Sequence, residues 1–195
     1  MVNKFPNLKR IAQINSYYCG PASLQMLFSF YNVDIEQQQV VDYLGINDKI
    51  INFGTTIQEL GTFVKDLYPQ YQFWYKLNSS ITELSQIINE YKYPVGVEWQ
   101  GVFDYPDEEK SEDEDDDPGH LAVITEINTS KNYIYIADPD IHYAGKDRKF
   151  SILQFERRWW DINVINHQEI DDYHGLFFIS PQNISFPPEF QLLKP

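Results

Sequence analysis

Gln13-Ile-Asn-Ser-Tyr-Tyr-Cys19-Gly-Pro-Ala-Ser-Leu24 holds the only cysteine in 195 residues. Pro21 suits the first turn of a helix, where a missing N–H leaves no bond unmade. Leu24, Leu27 and Phe28 recur at helical spacing, and Phe30 and Tyr31 extend the run. The pattern predicts a helix from near Cys19 to about Phe30. Cys19 then stands at a helix N-terminus, where unpaired backbone N–H groups and the positive end of the helix dipole favour a thiolate. Gly20 reads as a position left without a side chain so that a substrate backbone can approach. A lone cysteine is more often a small buried hydrophobe. A reactive role for Cys19 therefore has to be carried by the rest of the chain.

Working outward, the chain is long enough to bury one sizeable core, and 1–195 reads as a single domain. Hydrophobic residues at 43% and aromatics at 16% argue against disorder over most of it. One cysteine excludes an internal disulfide. The first ten residues have no apolar signal-peptide core, and no apolar stretch nears the ~20 residues that span a bilayer. A cytoplasmic protein without membrane insertion is expected. The net charge of −14 makes nucleic acid an unsuitable partner, because binding it requires cations against phosphates. A basic peptide is compatible. The charge is uneven: residues 107–117 carry nine acids and one lysine, leaving −6 for the remainder.

Further helices follow the first. Asp34-Ile-Glu-Gln37 reads as a cap with Asp34 as the capping side chain, opening a helix through Val40, Val41 and Leu44 to Gly45. Thr56-Ile-Gln-Glu59 and Ser80-Ile-Thr-Glu83 are capping boxes for two more helices. Tyr71–Leu77 between them is a strand. The second half changes character. Tyr93–Trp99 reads as a strand, 104–118 as an acidic flexible loop, and His120–Ile127 with Tyr133–Ala137 as a strand–turn–strand hairpin. Ser151–Arg158 is a short helix turning Ile152, Phe155 and Trp159 inward, and Gly175–Ile179 a last strand. The tail 181–195 is irregular. Helices first and an antiparallel sheet second indicate an α+β domain of two lobes, a helical one carrying Cys19 and a sheet lobe, with a cleft between.

Three side chains can complete the cysteine site. Gln13, six residues upstream, can join the Cys19 backbone N–H in holding an oxyanion. His120 can take the thiol proton and later give it to a leaving amine. Asp138 can hold the imidazole by its second ring nitrogen. Each residue alone reads as well as a loop glutamine, a strand-end histidine or a turn-initiating aspartate. The hairpin changes that, because His120 begins one strand and Asp138 follows the other, so both lie at one end of an antiparallel pair.

These residues resemble a known family. Gln13–x5–Cys19-Gly-Pro-Ala-Ser, then Gly119-His120-x-Ala-Val-Ile, then Asp138-Pro139, is similar to cysteine peptidase family 39 of the papain clan. That family includes the double-glycine leader peptidases that process bacteriocin precursors. Phe155–x3–Trp159 extends the similarity, which spans residues 10–160. The resemblance implies a papain-like fold, with Cys19 as nucleophile, His120 as base, Asp138 as orienter and Gln13 in the oxyanion hole. It also implies a peptide or protein substrate. Many leader peptidases are joined to a transporter, and this sequence carries neither membrane spans nor a phosphate-binding Gly-x-x-x-x-Gly-Lys-Ser/Thr loop. The same triad also serves an acyltransferase or a glutamine deamidase, and the fold without chemistry serves a peptide-binding module.

The acidic run is an addition to the family pattern and leads directly into His120. It is expected to favour basic peptides. Asp113, Asp115 and Asp117 alternate as in half a calcium loop, but Pro118 and Ile124 stand where a glycine and a bidentate glutamate belong. His142, His167 and His174 lack metal-ligand spacing. No metal or cofactor is called for.

Overall fold

The computed structural model describes residues 4–101, 119–165 and 168–195. The acidic run 107–117 and His167 lie outside the described residues. Helix α1 (Cys19–Ser29) begins at the cysteine and buries ten of its eleven residues, leaving only Gln25 partly open. A helix apolar on nearly all sides must be covered on all of them. α1 packs across strands β3 (Gly119–Asn128) and β2 (Val95–Gln100) and against α2 (Gln37–Leu44) and α4 (Ile57–Leu67). The Ser23 hydroxyl donates to the Leu121 carbonyl at 3.0 Å. That bond ties the helix of Cys19 to the residue after His120.

The antiparallel sheet has six strands in the order β1-β8-β2-β3-β4-β5. They are β1 (Tyr71–Lys76), β8 (Leu176–Pro181), β2, β3, β4 (Tyr133–Ala137) and β5 (Asp147–Phe150). β1 comes from the first half of the chain and pairs with β8, so the sheet is not confined to the second half. Four elements went unread in the sequence. They are the four-residue helix α3 (Ile50–Phe53), the strand β5, and a separate hairpin of β6 (Trp160–Ile165) and β7 (Gln168–Tyr173).

Both expected capping boxes form. Thr56 accepts from the Glu59 N–H to open α4, and Ser80 from the Glu83 N–H to open α5 (Ile81–Gln86). A third, at Ser151 and Gln154, opens α6 (Ile152–Arg157). The cap at Asp34 does not form. α2 begins only at Gln37 with no side-chain cap, and Asp34 pairs with Lys9 at the surface instead. The side chain of Gln37 turns inward. It donates to the Ala12 carbonyl and to Gln25, and accepts from the Ile14 N–H. The tail is irregular but docked: Phe190 is buried and Leu193 bridges to Tyr75.

Candidate active site

β3 and β4 place His120 and Asp138. Val123 lies opposite Ala137, so continuing the register sets Asp138 level with Ala122, diagonal to His120 on the same face. The His120 Nε2 and Asp138 Oδ1 are 2.8 Å apart. Asp138 takes Nε2, and Cys19, at the start of α1, lies near enough to act on the same ring. Cys19, His120 and Asp138 thus come together between the start of α1 and the end of β4.

Asp138 is over-determined. Its Oδ1 also accepts the Asp140 N–H at 3.0 Å, and its Oδ2 accepts from Arg148 Nη1 at 2.5 Å. Arg148 lies on β5, with its guanidinium carbon 3.6 Å from the centre of the Tyr143 ring. Burial opposes the charged carboxylate. The bond and charge of His120, the Asp140 N–H and the Arg148 charge outweigh it, and Asp138 is held below the usual carboxylate range. Burial likewise opposes a charged imidazole, yet Asp138 and Cys19 together raise His120 above the usual histidine range.

Gln13 is buried on the neighbouring chain segment. Its N–H donates to the Pro139 carbonyl at 2.8 Å, just past Asp138. The peptide groups on either side are held by Gln37 through Ala12 and Ile14. Upstream, Arg10 forms a two-pronged pair with Asp147 of β5. The backbone of Gln13 is therefore fixed from both sides, while its side-chain Oε1 has no hydrogen-bond partner.

A cleft of ≈ 410 Å³ opens beside the cysteine. Of the four expected site residues only Cys19 lines it; His120 and Asp138 stand behind, 5% and 2% exposed. One wall comes from Tyr17, α3 and Thr55, the other from Glu98, Gly119, Leu121 and the β6 residues Asp161, Ile162 and Asn163. Two glycines owe their identity to this cleft. A Cβ on Gly20 would stand 2.8 Å from the Thr55 hydroxyl, so Gly20 makes room for Thr55 rather than for a substrate backbone. A Cβ on Gly119 would stand 1.9 Å from Asp161 Oδ1, so the carboxyl of Asp161 fills the space beside the start of β3.

The carboxyls of this wall were not singled out as site residues in the sequence. Glu98 is 2% exposed in the strand next to β3. Burial, the charge of Asp161 and that of Asp172 raise it to about 8 against a bond from Asn163. Burial and Asp172 raise Asp161 to about 6, against bonds from the Ile162 N–H and Gln100. The signal for Glu98 was present: a charged residue in Val95-Gly-Val-Glu-Trp99 interrupts a run whose neighbours all belong in the core. Nothing in Asp147-Arg-Lys-Phe150 marked Arg148.

A cysteine at a helix start, backed by a buried histidine and aspartate on an antiparallel sheet, defines a papain-like α+β arrangement. The chain belongs to the Peptidase_C39 like family, whose model matches residues 5–165. Among solved structures it is similar to the peptidase domain of Streptococcus ComA, a bi-functional ABC transporter involved in a quorum sensing pathway. That match has a TM-score of 0.61 at 19% identity, covering 88% of this chain and 97% of that one. A double glycine motif protease from an AMS/PCAT transporter, solved in complex with the leader peptide, matches with a TM-score of 0.53 at 17% identity over 88% and 89%. A C39-like peptidase from Bacillus anthracis matches with a TM-score of 0.55 at 16% identity over 88% and 94%. No curated protein matches the sequence. Among the described residues, no helix is long and apolar enough to cross a membrane.

Proposed function

We propose that this chain is a cysteine peptidase acting through a thioester on Cys19. The observation that carries the reading is the buried His120 held at Nε2 by the Asp138 carboxylate, with Cys19 beside the same ring at the start of α1. His120, raised by both neighbours, holds the proton given up by the thiol, so the sulfur attacks a peptide carbonyl as a thiolate. The oxyanion that forms is met by the Cys19 N–H at the open start of α1 and by the side-chain amide of Gln13. His120 then protonates the leaving amine. In the second half it takes a proton from water, which attacks the thioester and frees Cys19. Asp138, pinned by Arg148 and the Asp140 N–H, keeps the ring oriented throughout.

Family membership supports hydrolysis as the chemistry. The relative solved with its leader peptide supports a peptide as the substrate class. The whole chain 1–195 is taken as one domain, in keeping with a tail that packs back onto β1. The test is incubation with a diverse peptide library at neutral pH, with new termini read by mass spectrometry. Cleavage is expected in the wild type and should fall by roughly 10³-fold or more in Cys19→Ala. Equal cleavage by that variant, or none by the wild type, contradicts the reading.

A further inference from the structure

We propose that Thr55 is a further catalytic residue, its hydroxyl donating to the oxyanion that forms when the Cys19 sulfur attacks the scissile carbonyl. The proposal rests on the peptidase reading and adds a donor that the reading does not use.

The start of α1 is open. Tyr18 gives it no side-chain cap, and its first turn carries no acid. The Ala22 N–H donates to the Tyr18 carbonyl at 2.9 Å, but the groups before it have no such partner. Pro21 has no N–H, and among the described residues those of Cys19 and Gly20 meet no acceptor. A helix of eleven residues therefore presents unpaired donors and the positive end of its dipole at the cysteine. That end favours negative charge beside Cys19.

Thr55 is the independent observation. It is 3% exposed, and among the described residues its buried hydroxyl has no hydrogen-bond partner. The hydroxyl is aimed at the second residue of α1: a Cβ on Gly20 would stand 2.8 Å from Thr55 Oγ1 and 3.1 Å from Thr55 Cβ. Thr55 and Cys19 line the same cleft. The backbone is fixed on both sides of Thr55. Gly54, at φ 58° and ψ −147°, takes a conformation essentially confined to glycine and closes α3 through its N–H on the Ile50 carbonyl. Thr56 is locked in the capping box of α4, where its own hydroxyl is used. The fold thus holds the Thr55 hydroxyl firmly yet gives it nothing to bond. An unpaired buried hydroxyl is a cost that a valine of the same shape would avoid. In the peptidase reaction, an oxygen that gains charge beside Cys19 is that of the scissile carbonyl, and a hydroxyl can turn its proton to meet it.

The test measures binding of a panel of acetyl-tripeptidyl aldehydes to the wild type, Thr55→Val and Thr55→Ser. The Cys19 sulfur adds to the aldehyde carbon, the π pair moves onto the oxygen, and the thiol proton follows it. The product is a hemithioacetal whose oxygen stands where the oxyanion forms. Iodoacetamide is the control, because displacement of iodide by the sulfur makes no oxyanion. For the tightest aldehyde, Thr55→Val should weaken binding about tenfold or more, and Thr55→Ser should stay within about threefold of the wild type. Alkylation rates should match in all three. The melting temperature of Thr55→Val should equal or exceed that of the wild type, since the variant removes an unpaired buried hydroxyl and keeps its volume. Equal aldehyde binding by the wild type and Thr55→Val overturns the role and leaves the peptidase reading standing. So does a Thr55→Val that melts lower or alkylates more slowly, because the hydroxyl then serves the fold or the sulfur. A wild type that binds no aldehyde overturns the peptidase reading and this role together.

Discussion

Gln13 has a backbone fastened by three hydrogen bonds on the two peptide groups that flank it and a side-chain oxygen that nothing satisfies. Fixing the backbone so firmly is of use if the side chain must be aimed. An orphaned buried amide oxygen is a cost that a structural glutamine would avoid. Both facts suit an amide whose N–H₂ is kept for a charge that exists only during turnover. Gln13→Ala should therefore lower kcat by roughly 10²–10³ while leaving KM and the melting temperature little changed. Steady-state kinetics on the folded variant checks this, and unchanged turnover returns Gln13 to a structural role. The residue was legible from its spacing to Cys19. Its grip by Gln37 was not, because a side chain reaching two backbone groups on a distant segment leaves no local pattern.

Among the elements, β5 supplies what the hairpin lacks. β3 and β4 bring His120 and Asp138 to one end, but Asp138 follows the last paired residue of β4, where a chain end is least constrained. Arg148 reaches across from the next strand and holds the second carboxylate oxygen, with Tyr143 stacked on its guanidinium. Arg148→Ala should reduce kcat about tenfold through a looser orienter. It should also move the acid limb of the rate profile to higher pH, since a cation that depresses Asp138 is gone. A kcat–pH profile of the variant tests both, and an unmoved acid limb would count against the role.

The elements legible beforehand were those with short-range signatures: capping boxes at Thr56 and Ser80, and short apolar runs in β2, β3, β4 and β8. β5 was hidden because three of its four residues are charged, whereas β6 carries an alternating Trp160, Ile162, Val164 pattern that went unread. Asp161 and Asn163 are buried to line a cleft rather than to fill a core. α3, with four residues, is too short to show a period. Asp34 had the composition of a cap. The helix starts later because Gln37 finds better partners inside.

For the whole molecule, the buried acids make stability depend on pH in an unusual direction. A carboxyl raised in the folded state contributes stability that is fully present below its unfolded value and is lost as pH rises through its folded value. For Glu98 that window runs from its ordinary 4.5 to about 8, and for Asp161 from 3.8 to about 6. Asp138 acts oppositely, losing its contribution as pH falls below its ordinary range. The chain should thus weaken from pH 5 to pH 8, and Glu98→Gln should flatten that slope by a few kcal/mol at most. Urea denaturation at the two pH values, wild type against variant, checks it. A variant with the same slope as the wild type would show that Glu98 titrates normally.

The account turns on Cys19 being paired with His120, and alkylation by iodoacetamide across pH tests that pairing most directly. The account predicts that Cys19 reacts at pH 6–7 roughly tenfold or more faster than free cysteine at the same pH. It also predicts that His120→Ala removes the advantage and Asp138→Asn reduces it. A wild-type rate that follows free cysteine across this range, or one unchanged in His120→Ala, would contradict it.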